Sequence, residues 1–297
     1  MKKHLVSVII PTYNEENHIE NCLNSLRKQS FKDFEIIVVD DGSKDKTIDK
    51  IKNFKEAKII VKEHSGRGPA SSKNLGVKRA KGNILVFVDA DEILDKNYIK
   101  RLIDPIKKGK SKVSVGVYKI YQPKNAWARC KYKNTKQLFH QSSKVFRAIK
   151  KDKLLKVGGF NTKKGYSDDQ VEGLGKIYKV KNALFYHNVD TGIKEVYHKS
   201  KWIGKSVISN PKSGKFFIKI GLMLIFLALI GIFSIINKTI VYYLLILALL
   251  GMLLLVVKKA ISYKDIRLIF YSPIFLIVSN MGLFVGLFND IIKRIKR

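Results

Sequence analysis

Acidic residues are scarce in this chain: 24 Asp and Glu stand against 57 Lys and Arg, a formal net charge of +33 over 297 residues. That balance leaves nucleic acid, anionic lipid and phosphorylated substrates as partners, with lysine also serving as the default solvated surface residue. Cysteine is nearly absent. Cys22 and Cys130 lack metal-site spacing, suggest no disulfide framework and fit a reducing compartment. A signal-peptide pattern is missing before residue 5. Lys2 and Lys3 are followed only by a short apolar run that enters Pro11-Thr12-Tyr13-Asn14, so the N-terminal domain is expected in the cytoplasm. Long apolar runs are also missing until Phe216.

From there the composition changes. Leu, Ile, Val and Phe dominate, with apolar runs at 220–236, 239–257 and 268–288. A bilayer span takes roughly 20 apolar residues. The first run is lengthened by Phe216, Phe217 and Ile218, and Lys219 can snorkel. A buried soluble hairpin is the alternative, but nothing else in the chain could cover so much apolar surface. The expected organisation is a domain over 1–210 and a membrane domain over 211–297, with spans at 217–236, 239–257 and 268–288. A basic domain facing anionic headgroups then accounts for the charge without nucleic acid. The loop at Lys258–Arg267 would lie inside, as the positive-inside rule prefers. Three spans would put Lys293, Arg294, Lys296 and Arg297 outside, against that rule. Pro273 and Ser279-Asn280 would permit a break in the third run, so re-entry is the alternative to a third span.

The first hundred residues alternate strand and helix. Leu5–Ile10 reads as a strand ending at Pro11, which cannot donate to a central ladder. A helix follows with Ile19, Leu23 and Leu26 at helical spacing. Phe34–Val39 is a second strand, Thr47–Phe54 a short helix and Lys58–Val61 a third strand. Ile84–Val88 is a buried strand running into Asp89-Ala90-Asp91. This is the pattern of a parallel α/β sheet. Three strands end in polar or acidic loops, Thr12–Glu15, Asp40–Ser43 and Asp89–Asp91, and in a parallel sheet those ends share an edge, where such sheets bind ligands. If the chain stays extended, Asp89 and Asp91 point to one side. Two hard oxygen ligands there suit Mg²⁺ or Mn²⁺; a helix N-cap with a spare acid is the plainer reading. Gly66 and Gly68 suggest a dinucleotide fingerprint that Pro69 and Ser71 break. Arg67 and Lys73 could neutralise phosphates there or be solvated surface charge.

Val6–Glu15, Ile37–Asp45, Lys73-Asn74-Leu75-Gly76 and Val88–Asp91, in that order and spacing, resemble the family 2 glycosyltransferases of GT-A fold, over roughly residues 5–100. The resemblance implies an α/β, Rossmann-like nucleotide-diphospho-sugar transferase domain, here followed by transmembrane helices, inverting and dependent on a divalent cation. It implies that Pro11, Thr12, Tyr13, Glu15 and Asp41 hold the nucleoside. Lys73, where the family often has Arg, would touch base or diphosphate. Asp89 would contact ribose or metal, and Asp91 would ligate the metal. Gly165-Tyr166-Ser167-Asp168-Asp169-Gln170 resembles the acceptor motif, with Asp168 in place of Glu, Asp169 at the position of the general base, and Glu172 as a supporting acid; a helix N-cap pair is the alternative. His187 stands where such enzymes bring a histidine to the metal, though an isolated histidine is more often structural. Tyr197–Trp202 resembles a degraded Gln-x-x-Arg-Trp motif lacking its Gln and Arg, which argues against processive synthesis. Trp127–Phe139, aromatic and basic, reads as packing or acceptor contact.

The function implied is a multi-pass cell-membrane glycosyltransferase with its catalytic domain in the cytoplasm. It would move a sugar from a UDP- or GDP-linked donor to a lipid-linked or envelope glycan. The alternatives are a polyprenyl (dolichyl) phosphate sugar synthase and a non-catalytic basic nucleotide-binding membrane protein. The continuation Glu92-Ile93-Leu94 departs from those synthases.

Overall fold

The computed structural model describes residues 5–64, 68–120, 126–131, 145–162, 171–187, 192–204, 238–263 and 265–295. Two compact units are present: residues 1–122 with 138–189, and residues 123–137 with 190–297. The expected boundary at 210 and the expected span 217–236 lie outside the described residues.

The first unit is built on one sheet. Its strands are β1 (Val6–Thr12), β2 (Phe34–Asp40), β3 (Ala57–Val61), β4 (Ile84–Phe87), β5 (Glu92–Leu94), β6 (Val113–Ile120), β7 (Ala148–Lys150) and β8 (Tyr178–His187), in the spatial order β3-β2-β1-β4-β7-β6-β8-β5. The helices are α1 (Ile19–Arg27), α2 (Thr47–Lys52), α3 (Pro69–Arg79), α4 (Tyr98–Lys107) and α6 (Lys151–Lys156), with α5 (Ala126–Lys131) belonging to the second unit. β3, β2, β1 and β4 pair in parallel; β7 joins β4 antiparallel, and β5 joins β8 antiparallel. Every residue of β1 and β4 is buried, as a parallel sheet covered on both faces requires. Alternation sorts the side chains into two cores. Val6, Val8, Ile10, Val38 and Val86 pack with Ile19, Leu23 and Leu26 of α1 and with Ile99 and Leu102 of α4. Ile9, Ile37, Val39, Leu85 and Phe87 pack on the other face with Val77 of α3 and Leu154 of α6.

The structure changes several boundaries. β1 runs through Pro11 to Thr12, beyond the expected stop. Ile9 O still accepts from the β4 side, at Val88 N, and Thr12 O accepts from the β2 side, at Asp41 N. Pro11 therefore turns its nitrogen toward the β4 side, beyond the last paired residue of β4, where no ladder bond is lost. β4 stops at Phe87, so Asp89–Asp91 are not extended. They form a turn closed by Glu92 N–H donating to Asp89 O at 3.0 Å, and the same-side argument for the two acids does not apply. β5 was not anticipated. β7 is a three-residue strand and β8 a ten-residue one.

The second unit comprises α5, α7 (Ile193–Gly204), α8 (Lys238–Tyr263) and α9 (Leu268–Ile295) among the described residues. The expected spans 239–257 and 268–288 fall within α8 and α9. Among the described residues one segment, Leu268–Ile292, is long and apolar enough to cross a membrane, and only 17% of its most apolar window is buried in protein. α9 passes through Pro273 and Ser279-Asn280 unbroken. On α8, Leu247, Leu249, Leu254 and Leu255 are exposed. Asp265, in the corner between α8 and α9, is buried against Arg129 of α5 at 2.6 Å and the guanidinium of Arg267 at 2.8 Å. Trp127 packs edge-on to Tyr271 with ring centroids 4.7 Å apart, the packing reading at that residue, while residues 132–139 of the segment lie outside the described residues.

Candidate active site

The sheet register brings the expected loops together. Thr12 pairs with Asp40, and Ile9 pairs with Phe87, two residues before Asp89. The β1–α1 and β2–α2 loops are then stitched by side chains. Asn14 N–H donates to Ser43 Oγ at 2.8 Å, Lys44 N–H to Asn14 Oδ1 at 2.9 Å, and Glu15 N–H to Thr47 Oγ1 at 2.8 Å. Asp40 turns inward and caps its own loop, taking the N–H groups of Gly42 at 3.0 Å and Ser43 at 2.8 Å. Gly42, at φ +76°, makes that turn without a Cβ, which would meet His64 N at 3.0 Å.

Asp41 is the recessed acid of this edge. It is 6% exposed; Lys62 Nζ bonds one oxygen and His64 Nδ1 lies 3.0 Å from the other. The exposed ring of Tyr13 stacks on His64, centroids 4.3 Å apart and 17° from parallel. A half-open aromatic ring thus stacks on the imidazole that, with Lys62, flanks the carboxylate. Pro11 and Thr12 are buried behind it. Neither Lys62 nor His64 was singled out in the sequence, because nothing in a single polar residue after a strand marks its partner.

Lys73 is not a solvated surface lysine. It is 2% exposed on α3, with its ammonium 5.2 Å from the centroid of Phe160. Its neighbour Asn74 donates from Nδ2 to Phe160 O at 2.9 Å and accepts Phe160 N–H at 3.0 Å, fixing the loop after Gly158-Gly159 against α3. Arg67 lies outside the described residues.

The turn after β4 carries the remaining acids. Asp89 is one-third exposed, and Asp91 is partly exposed. Arg147 Nη1 donates to Asp89 Oδ2 at 3.0 Å and Nη2 to Glu92 Oε1 at 2.7 Å. Beneath them lies Cys22, whose Sγ is 3.6 Å from Asp89 O; burial first, then the nearby acids, pushes its thiol well above the usual range. Among the described residues no three His, Cys, Asp or Glu side chains form a metal cage. A Mg²⁺ or Mn²⁺ held by one or two carboxylates and the phosphates of a nucleotide needs no such cage. Two partly exposed carboxylates at a strand end fit that arrangement. The register sets His187 opposite Glu92, beside this turn, while its side chain lies outside the described residues. So do Asp168 and Asp169. Glu172 is described and exposed. Arg147 was missed in the sequence, since only tertiary pairing brings it to Asp89.

Residues 7–164 match the family model for glycosyl transferase family 2. Staphylococcus aureus TarS, a poly(ribitol-phosphate) beta-N-acetylglucosaminyltransferase, is 41% identical over 99 residues, 32% of this chain and 17% of that protein. Escherichia coli WfgD, a UDP-Glc:alpha-D-GlcNAc-diphosphoundecaprenol beta-1,3-glucosyltransferase, is 32% identical over 121 residues, 40% of this chain and 48% of its own. The chain thus spans less than half the length of these two relatives. The solved structure of S. aureus TarS 1–349 with UDP-GlcNAc superposes with a TM-score of 0.53 at 21% identity, covering 71% of this chain and 68% of that one. That likeness carries the fold: a mixed α/β sheet of GT-A type. Strand-end loops and acids, and a sequence match across more than half the chain, agree: this chain belongs to glycosyl transferase family 2.

Proposed function

We propose that the protein is a membrane-anchored, metal-dependent inverting transferase that moves a sugar from a UDP-linked donor to a lipid-linked or envelope glycan. The observation that carries this reading is the meeting of the Thr12–Glu15 loop, Asp41 and the Asp89–Asp91 turn on one sheet edge. In this reading Tyr13 offers its open face to the base. Asp41 is a hydrogen-bond acceptor between the donors Lys62 and His64. The UDP-linked donor is supported by the UDP-Glc donor of WfgD and by the UDP-GlcNAc complex of TarS. Asp91, with Asp89, holds the divalent cation, which when bound offsets charge on the diphosphate leaving group. His187, whose backbone pairs with Glu92, is assigned to join them on the sequence resemblance. Lys73, on the neighbouring helix, is assigned the diphosphate side. The acceptor hydroxyl attacks the anomeric carbon from the face opposite the nucleotide, and its proton passes to Asp169, with Asp168 beside it; these two roles rest on the sequence resemblance.

The anchor is assigned to α9 with α8, whose exposed leucines suit lipid. It would raise the effective concentration of a lipid-borne acceptor. The activity of WfgD, on a diphosphoundecaprenol-linked sugar, supports that acceptor class.

The test is Mn²⁺-dependent turnover of UDP- and GDP-sugars by the detergent-solubilised protein, with and without polyprenyl phosphate, beside Asp91→Asn and Asp169→Asn. The reading expects UDP-sugar turnover that falls at least about a hundredfold in each variant. Turnover that needs polyprenyl phosphate and survives Asp169→Asn would select the phosphate-acceptor synthase instead, because a phosphate is already ionised. UDP binding indifferent to both Mn²⁺ and Asp91 would reject the metal site.

A further inference from the structure

We propose that Arg147 is a positioning residue of the donor site, holding Asp89 by one oxygen and thereby setting how the Asp89–Glu92 turn presents its carboxylates to a divalent cation. The inference rests on the donor reading above and goes beyond it, to a residue just before β7.

The geometry is a closed ring. Arg147 Nη1 reaches Asp89 Oδ2 at 3.0 Å, and Nη2 reaches Glu92 Oε1 at 2.7 Å. The other oxygen of Glu92 accepts the Asp89 amide at 3.0 Å. One guanidinium and one buried carboxylate thus fix both the backbone and the side chain of the first acid. Arg147 is fixed in turn. Its N–H donates to Ser114 O and its carbonyl accepts from Phe87 N–H, each at 2.9 Å. Its guanidinium lies over the Phe185 ring, 5.0 Å from the centroid. Four strands, β4 to β6 and β8, therefore determine where this cation stands.

Burial shows that the arrangement is specific. Glu92 is 0% and Arg147 7% exposed, so each needs its partner. Three carboxylates, Asp89, Asp91 and Glu92, crowd one turn, and without the guanidinium they would repel one another. Arg147 compensates the inner pair, Asp89 and Glu92. A lysine could not replace it, because a point charge cannot bridge two carboxylates as the planar fork does. Partners that orient metal-ligating groups typically change metal affinity by roughly 10–100-fold when removed.

If the ring served only to tie β7 to β5, its loss would lower stability and leave metal binding by the folded protein untouched. The experiment separates the two with the full chain in detergent. Mn²⁺ is titrated calorimetrically at saturating UDP, and thermal unfolding is followed in parallel, for wild type, Arg147→Lys, Arg147→Met and Ile106→Ala. Ile106 is buried at the far end of α4, so its variant controls for stability alone. Expected are a loss of Mn²⁺ affinity of roughly 10–100-fold in Arg147→Lys and none in Ile106→Ala, although both melt lower than wild type. If Arg147→Met does not fold, Arg147→Lys decides. Mn²⁺ affinity in folded Arg147→Lys within about twofold of wild type overturns the proposal and leaves the donor site standing. A wild type that binds UDP equally with and without Mn²⁺ removes the metal reading, and the role of Arg147 with it.

Discussion

Tyr98 opens α4 with its whole side chain buried, edge-on to Phe185 at 5.6 Å. Its hydroxyl has no hydrogen-bond partner among the described residues. A buried hydroxyl in that state costs about 1–3 kcal/mol, so Tyr98→Phe should keep the packing and stabilise the protein by about 1 kcal/mol, read as a higher melting temperature at pH 8. Burial also pushes the phenol above its usual value of 10.0. The unfolded phenol ionises near that value and the folded one does not. Its contribution is complete below pH 10 and is lost as pH rises from there toward the folded value, at about 1.4 kcal/mol per pH unit. The melting-temperature gap between Tyr98→Phe and wild type should therefore widen between pH 9 and 10.5; a constant gap would show that the phenol is not desolvated. At this scale the sequence is legible where a residue acts through its neighbours in the chain. Asp89 and Asp91 stand out because they end an apolar run. Arg147, Lys62 and His64 act through partners from distant segments, and no local pattern marks them.

α7 and α9 meet where side chains are smallest. A Cβ on Gly286 would lie 1.9 Å from Lys201 O, one on Gly282 2.5 Å from Tyr197 O, and one on Gly204 2.2 Å from Leu283 O. Close backbone approach of this kind is how apolar helices associate without a hydrophobic driving force. Ser200 Oγ and Ser279 Oγ, 3.0 Å apart, add a hydrogen bond to the same seam. Gly286→Ala should destabilise the detergent-solubilised protein by about 1–3 kcal/mol, the usual cost of overpacking. Gly251→Ala on α8, where no described residue lies within 4 Å, should be neutral or gain up to about 1 kcal/mol of helix propensity. Equal melting temperatures for the two variants would refute the seam. The starts of α8 and α9 were readable from apolar runs, but the helices run on through basic residues to Tyr263 and Ile295, beyond the expected ends at 257 and 288; their partners were not readable, since a helix apolar on every side has no face to read. Tyr197–Trp202, read as the remnant of a motif, lies within α7. In the sheet, β1 to β4 followed from strand-helix alternation. β5 was missed because three residues carry no period, and the extents of β7 and β8 depend on pairings with remote strands.

The net charge of +33 and the apolar C-terminal third offer two modes of attachment to a membrane, and they respond differently to washing. Charge alone is screened within about 10 Å at 0.1 M salt, so a protein held that way leaves the pellet in high salt or alkaline carbonate. Anchoring by α9 predicts that the full chain stays with the membrane through both washes and leaves only with detergent; release by carbonate would end the anchored reading. The order of strands has a further consequence, for synthesis. β1 to β4, with α1 to α3, lie within the first ninety residues and pair in one parallel ladder, which β7 joins later on β4, so the half proposed to hold the nucleoside can take shape on the ribosome before the apolar third is made. The Asp89 turn cannot be completed then. Its clamp waits for Arg147, and β5 waits for β8, whose register sets His187 beside Glu92. In the proposed reading a nascent chain would therefore hold its base-binding loops early and complete its cation site late, and would become competent for transfer only when translation has nearly reached the segments assigned to the anchor.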